Sequence, residues 1–292
     1  MGAVAASSPR SSKSPVPRYP EALELSGKVI VITGAARGIG RAMAERFARE
    51  SPAAVILADI DAAAAAEAAR GVNGAAVTAD VSSAQGVTAL VETVLDRHGR
   101  IDLFCSNAGV LAEGGVEQED PVWDRLWEIN VKSHLWAARA ALPAMLARGE
   151  GYLLNTVSAA GLLTSLGAAP YAVSKHAALA LAEWLHITYR GRGIRVSALC
   201  PAFVRTSMVY SVRSPMRDWM LEGSISPEAV AESAVAGLRD ERFLILPHPE
   251  VGEQFRRKAN DYDRWLAGMR RLAAKVNPDG PESPRNDARP GS

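Results

Sequence analysis

The stretch Lys28-Val29-Ile30-Val31-Ile32-Thr33-Gly34-Ala35-Ala36-Arg37-Gly38-Ile39-Gly40 decides how this chain folds. A β-branched apolar run reads as a strand buried on both faces, three glycines punctuate the turn that leaves it, and a helical pattern, Gly38 to Glu50, follows. Each glycine has a task. Gly34 permits a tight turn off the strand, Gly38 lets backbone amides approach a pyrophosphate, and Gly40 lets the helix close onto the sheet. The first residues of that helix, Ile39 among them, offer free N–H groups and partial positive charge to phosphates. A glycine-rich turn alone is a weak signal; its place between strand and helix makes it a dinucleotide site.

Outward from this unit, short β-branched runs alternate with longer alanine-rich helical stretches. The further strands expected are Ala54 to Asp59, Ala75 to Ala79, Ile101 to Ser106, Gly151 to Val157, Arg195 to Pro201 and Arg242 to Leu246. The helices between them are Ala62 to Arg70, Ser83 to His98, Pro121 to Ala147, Tyr171 to Arg192 and Pro227 to Arg239. Right-handed crossovers wind these into an α/β, Rossmann-type doubly wound fold: one parallel seven-stranded sheet, order 3-2-1-4-5-6-7, with helices on both faces. The second strand ends in Asp59, 19 residues after Gly40. A carboxylate there accepts hydrogen bonds from a ribose 2′-OH and repels a 2′-phosphate, which favours NAD over NADP. Arg37 pulls the other way, since a basic loop residue can pair with that phosphate. Asp61 is expected to cap the next helix.

Composition narrows the class. Of 292 residues, 48% are hydrophobic and 22% charged, and 33 Lys+Arg against 32 Asp+Glu leave a net charge of +1. That balance speaks against disorder and against a nucleic-acid partner. Two cysteines, Cys105 and Cys200, are too few for a disulfide framework and fit a reducing, cytoplasmic setting. No apolar run reaches the length of a membrane span. The histidines show no paired spacing for a metal. Residues 1–24 read as a flexible leader, residues 25–248 as one domain, 249–276 as a single C-terminal helix with basic excess docked on its own or a partner subunit, and 277–292 as a disordered tail.

Further elements follow in order: Asp80-Val81 after the third strand, Ser106-Asn107-Ala108-Gly109 after the fourth, Asn130 in a helix, Ser158 after the fifth strand, and Tyr171-Ala172-Val173-Ser174-Lys175. With the glycine spacing of three then one, they resemble the short-chain dehydrogenase/reductase family over residues 25–248. The resemblance implies that Asp80 and Val81 hold the adenine ring, that Asn107, Ala108 and Gly109 line the cofactor site, and that Asn130 holds a water linking Lys175 to solvent. It also implies that Lys175 bonds the nicotinamide ribose. Pro201, Val204 and Thr206 resemble the element that anchors the carboxamide, with Ala202 where the family has glycine. If that position needs positive φ, the alanine is strained.

The chemistry follows from the side chains. Tyr171 and Lys175, four apart, share one helix face. A phenol's ordinary pKa of about 10 is too high for a base at neutral pH, and the Lys175 ammonium with an oxidised nicotinamide is expected to lower it. Tyr171 is then the general base of alcohol oxidation and the general acid of the reverse reduction, while Ser158 hydrogen-bonds the substrate oxygen. Val110 to Glu119, Ala159 to Pro170 and Ser207 to Ser226 are expected to wall an apolar pocket. Arg205, Arg213 and Arg217 are candidate partners for a substrate carboxylate, with solvated surface the simpler role. The expected function is NAD-dependent interconversion of a secondary alcohol and a ketone on a mostly hydrophobic small molecule, by a homotetramer or homodimer paired through its two long helices. An NADPH-dependent carbonyl reductase and a non-catalytic NAD-binding regulator are the alternatives.

Overall fold

Strand residues send successive side chains to opposite faces, so the continuous apolar runs in this chain must feed two separate cores. In the structure, a computed structural model that describes residues 23–276, they do. Residues 1–22 of the expected leader, and the expected tail, lie outside the described residues. Val29 and Val31 of β1 (Val29–Thr33) join one cluster and Ile30 and Ile32 the other. The remaining strands are β2 (Ala54–Asp59), β3 (Ala75–Thr78), β4 (Leu103–Ser106), β5 (Gly151–Thr156), β6 (Ile194–Leu199) and β7 (Leu244–Ile245). All pair in parallel in the order β3-β2-β1-β4-β5-β6-β7, as expected.

One helical layer holds α1 (Gly38–Ala48), α2 (Ala62–Gly71) and α9 (Pro227–Arg239); its buried Met43, Phe47 and Val235 meet Ile30, Leu57 and Leu154. The other holds α3 (Ala84–His98), α5 (Ser133–Arg148) and α6 (Ala169–Tyr189), whose Val91, Met145 and Leu185 pack with Val31, Phe104 and Val196. Leu23 and Leu25 are buried in the first of these cores, so the folded body begins before residue 25.

Two helices differ from expectation. The long helix after β4 is α4 (Asp120–Trp127), a π-turn over Glu128–Lys132, and then α5. Asn130 sits in that π-turn, where an extra residue per turn carries its side chain out of the helical ladder. The single helix expected over 249–276 is two, α10 (Pro249–Asn260) and α11 (Tyr262–Val276). Asp261 breaks it: its Oδ1 accepts the Arg264 N–H at 3.0 Å, a cap that competes with continuation of the first helix. Two short helices, α7 (Ser207–Tyr210) and α8 (Met216–Glu222), fill the segment after β6. No described helix is long and apolar enough to cross a membrane, and no described cluster of three His, Cys, Asp or Glu could hold a metal ion.

Candidate active site

The strand order reverses between β1 and β4, and such a switch point opens a crevice at the carboxyl ends of the strands. Its floor is stitched by two polar side chains. Thr33 Oγ1 accepts the Asn107 and Ala108 N–H groups at 2.9 and 3.1 Å. Asn107 Nδ2 donates to the Thr33 carbonyl at 3.0 Å, and its Oδ1 accepts from Thr156 Oγ1 at 3.1 Å, so one amide joins β1, β4 and β5. Gly38 stands at φ +55°, a region open to glycine and strained for other residues. A Cβ on Gly40 would collide with the Gly34 carbonyl oxygen and the Asn107 amide. Arg37, at the N-cap of α1, makes no side-chain cap, and the first turn of α1 holds no acid. The loop therefore presents uncapped amides at close quarters, a cradle that fits the pyrophosphate of a dinucleotide.

Asp59 ends β2 beside this loop. Its Oδ2 accepts the Ala36 N–H at 3.0 Å and its Oδ1 the Asp61 N–H at 3.1 Å. Asp61 caps α2 as expected, and its Oδ2 also lies 2.8 Å from Arg37 Nη2. The guanidinium that could have read a 2′-phosphate already has a carboxylate partner. Asp80 and Val81 follow β3 on the same edge, where Asp80 Oδ1 accepts the Ser82 N–H. Thr206 leans over the glycine loop, its Cγ2 3.2 Å from where a Cβ on Gly38 would stand, and its Oγ1 donates to the Val204 carbonyl.

The turn after Pro201 is unstrained, contrary to the concern raised by Ala202: that residue is not among the described non-glycine residues with positive φ. Buried His248 supports the turn instead. Its Nδ1 accepts the Ala202 N–H at 3.2 Å and its Nε2 lies 3.1 Å from the Phe203 carbonyl, so the ring is neutral with its proton on Nε2.

Tyr171 and Lys175 share the inner face of α6, with Lys175 Nζ 5.7 Å from the Tyr171 ring centroid and donating to the Thr156 carbonyl at 3.1 Å. Ser158 Oγ accepts the Ala160 N–H at 3.0 Å and donates to the Pro201 carbonyl at 3.4 Å, and Ser158 and Tyr171 line the same cavity. Burial is the largest influence on both helix residues. It pushes the Tyr171 phenol above its ordinary value, partly offset by Ser158, and it lowers Lys175 to about 8. The depressed phenol expected from Lys175 is thus not a property of the protein alone. Desolvation disfavours the charged form of each group more than their proximity favours it.

Asn130 Oδ1 accepts the Val110 N–H at 2.9 Å while its Nδ2 donates to the Val110 carbonyl and Ser174 Oγ, both at 3.0 Å. Its side chain is thus tied to Val110 and Ser174. Gly109 explains how it still neighbours the lysine. A Cβ there would stand 3.3 Å from Asn130 Oδ1 and 3.5 Å from Lys175 Nζ, so the bare glycine lets both close in.

Beyond Tyr171 opens a cavity of about 1100 Å³. All three expected loops line it, through Leu111, Leu163, Leu166, Met208, Met216 and Trp219 among others. Arg205, Arg213 and Arg217 do not. Arg205 donates to the Ser224 carbonyl at 2.6 Å and Arg217 meets Asp218 at 3.5 Å. The outer wall was not expected: it is α10 and α11, with Val251, Arg257, Arg264, Trp265 and Met269. Lys258, only 8% exposed, fastens that wall by donating to the Leu162 and Leu163 carbonyls at 2.8 and 3.1 Å, with its Nζ 5.1 Å from the Trp265 ring centroid. Helical spacing gave no signal for this contact, because α10 ends at Asn260 and Tyr262 and Trp265 belong to α11. Cys105 and Cys200 are free and buried, and burial pushes the Cys200 thiol up to about 12.

With this geometry in hand, the comparisons agree. The family described as short chain dehydrogenase matches residues 28–217, and the chain belongs to it. It is 38% identical to the 1-deoxy-11-beta-hydroxypentalenate dehydrogenase of Streptomyces exfoliatus, over 84% of this chain and 92% of that protein. It is 32% identical to the 3beta-hydroxysteroid dehydrogenase 2 of Eggerthella lenta, over 76% of this chain and 91% of that one. The crystal structure of a short chain dehydrogenase/reductase from Burkholderia phymatum in complex with NAD matches with a TM-score of 0.76 at 30% identity, covering 89% of this chain and 99% of that one. The protein is an oxidoreductase of this family, and its fold and glycine cradle fit a nicotinamide cofactor.

Proposed function

We propose that this chain is an NAD-dependent dehydrogenase that interconverts a secondary alcohol and a ketone on a mostly hydrophobic small molecule of terpenoid, steroid-like or aromatic class. The observation that carries this reading is the half-buried Tyr171, with Lys175 Nζ 5.7 Å from its ring centroid and Ser158 beside it in the lining of one largely apolar cavity. When bound, the cofactor supplies the hydride acceptor for oxidation and the hydride donor for reduction. Tyr171 takes the hydroxyl proton of the alcohol at its phenolate oxygen and returns it in the reverse direction. Ser158 donates to the substrate oxygen and holds it where Tyr171 can reach. Lys175, charged when protonated, favours the phenolate and bonds the ribose.

Asp59 supports NAD, because its carboxylate stands where a 2′-phosphate would be repelled, and Arg37 is already paired with Asp61. Asp80, Val81 and the Asn107 to Gly109 segment are proposed to hold the adenosine side, and Pro201, Val204 and Thr206 the carboxamide. Hydride transfer with a panel of hydroxylated terpenoids and steroids tests the mechanism in wild type and Tyr171→Phe. Comparable rates would sink it. A higher kcat/KM with NADP than with NAD would overturn the cofactor assignment.

A homo-oligomer is proposed as well. Val173, Trp184 and Ile187 of α6 are 48%, 56% and 80% exposed, and their spacing places them on one helical face, with Trp127 of α4 also exposed. An apolar stripe of this kind suits a second copy. Light scattering that returned a 31.0 kDa monomer would refute it.

A further inference from the structure

We infer that the substrate is an amphipathic anion, with the reacting hydroxyl at Tyr171 and a carboxylate at the opposite end of an apolar body, held by Arg264 and Arg271 of α11. This rests on the dehydrogenase reading of the site and names the chemistry its pocket selects.

The cavity is polarised. Tyr171 of α6 and Ser158 after β5 line it from the body of the fold, leucine, methionine and tryptophan side chains supply apolar surface, and α10 and α11 bring Arg257, Arg264 and Arg271. Arg257 is taken: its Nε lies 3.1 Å from Glu253 Oε1. Arg264 and Arg271 have no carboxylate within ion-pair distance among the described residues, although many other arginines of the fold do, Arg46, Arg148, Arg239 and Arg256 among them. Gly268, also on the cavity wall, leaves helix surface bare beside Arg271, whose Nη2 lies 3.9 Å from where a Cβ would stand.

Four carboxylates also line the cavity, and they do not cancel these guanidiniums. Glu113 is spent on the Arg213 and Ser214 N–H groups at 2.8 and 3.2 Å. Asp261 is spent on the Arg264 N–H as the cap of α11. Glu250 lies in the first turn of α10, on a different helix from Arg264 and Arg271. Glu222 closes α8, on a different wall. A planar guanidinium binds a carboxylate through two parallel hydrogen bonds, and next to an apolar wall that contact is stronger than in open water. Two guanidiniums with no carboxylate partner among the described residues, in the wall of a largely apolar cavity, are therefore suited to one anionic group on an otherwise greasy ligand.

The test pairs acids with their neutral esters. Lithocholate and its methyl ester, and a hydroxylated terpenoid carboxylate with its methyl ester, are titrated into NADH-loaded protein, read by the fluorescence of Trp219 and Trp265 in the cavity wall. The wild type is expected to bind acid at least about tenfold tighter than ester, and the preference to shrink as ionic strength rises. Arg264→Gln with Arg271→Gln is expected to bring the ratio to about one, and both sites are exposed enough for the fold to persist. Equal binding of acid and ester by the wild type, or an undiminished preference in the double variant, overturns the inference. Turnover is scored separately by NADH formation from NAD. Selective acid binding without turnover breaks the dehydrogenase reading and spares the anion site; equal kcat/KM for acid and ester does the reverse.

Discussion

The two sides of Tyr171 are built on different terms. Toward the cofactor, backbone and short polar side chains interlock: Thr33 and Asn107 each bond two or more amides or carbonyls across neighbouring strands, Asp59 holds the Ala36 N–H after β1 and the Asp61 N–H of its own loop, and Gly40 has no room for a methyl group. Toward the substrate, large apolar side chains from separate helices enclose about 1100 Å³, and the outer helices join the body through buried residues that include Val251 and Lys258. A ligand shared by a whole family demands a fixed backbone; a ligand particular to one member needs a wall whose side chains can change without moving the sheet.

Removing the phenol gives the largest effect and asks whether the two sides are separable. Tyr171→Phe is expected to lower kcat by about 10²- to 10⁴-fold, the usual range for a general acid–base. The Kd for NADH, from fluorescence titration, is expected to stay within about twofold. Loss of both together would place Tyr171 in the cofactor side and break the division. The pH profile carries a sign. A general base must be deprotonated, so oxidation falls as pH drops below the apparent pKa of the Tyr171–Lys175 pair, and reduction falls as pH rises above it. Burial raises the phenol in the protein alone, and a protonated lysine on the same helix face favours the phenolate. Lys175→Met should therefore move the oxidation limb to higher pH.

Asp59→Ala strikes the cofactor side alone. Removing a repulsive carboxylate is expected to raise the KM for NAD by about tenfold or more and to lower that for NADP, as a lost charge-assisted hydrogen bond of roughly 1.5–3 kcal/mol predicts. The KM for the alcohol should not follow. An unchanged NAD to NADP ratio would remove Asp59 from the site.

Lys258→Met strikes the other side. Methionine matches the stem of lysine but leaves the Leu162 and Leu163 carbonyls without their donor, a cost of about 1–3 kcal/mol in a buried setting. Because Leu163 lines the cavity close after Ser158, the alcohol KM is expected to rise several-fold while the KM for NAD holds. A Tm drop of roughly 2–10 °C should accompany it. A drop in Tm with both KM values intact would make Lys258 a strut and nothing more.

What the chain disclosed before its structure follows the same divide. The strand order, the glycine loop, the Asp61 cap and the Tyr171–Lys175 face were legible because each is a local pattern tied to one backbone geometry. The outer wall was not. Pro249 to Val276 shows helical spacing throughout, and the break at Asp261 depends on one side-chain oxygen reaching the Arg264 amide. That Lys258 is buried depends on carbonyls 96 and 95 residues away, a contact no periodicity encodes. Asn130 was legible as a site residue, yet the use of its side chain on Val110 and Ser174 required the π-turn. The effect of burial on Tyr171 was likewise hidden, since the spacing of two residues says nothing of the solvent around them.

The smallest effect concerns the seam between the two sides. His134 of α5 is buried with Asn155 of β5, its Nδ1 3.2 Å from Asn155 Oδ1, and neither His134 Nε2 nor Asn155 Nδ2 has a hydrogen-bond partner. Burial, with a smaller contribution from the charge on Lys175, lowers His134 to about 3. In the unfolded chain it titrates near the ordinary value of about 6.5. Above that pH it is neutral in both states and contributes no pH dependence. Below it, the unfolded chain binds a proton that the fold refuses, so stability falls by up to about 1.4 kcal/mol per pH unit. Burial lowers His248 as well, so the wild-type slope holds contributions from both rings. Urea unfolding at pH 7.5 and pH 5.5 isolates His134 as the difference between wild type and His134→Leu. The variant should lose about 1 kcal/mol less across that interval. Identical losses in the two proteins would show that His134 takes up its proton in the folded state, and that the core beneath Lys175 admits water.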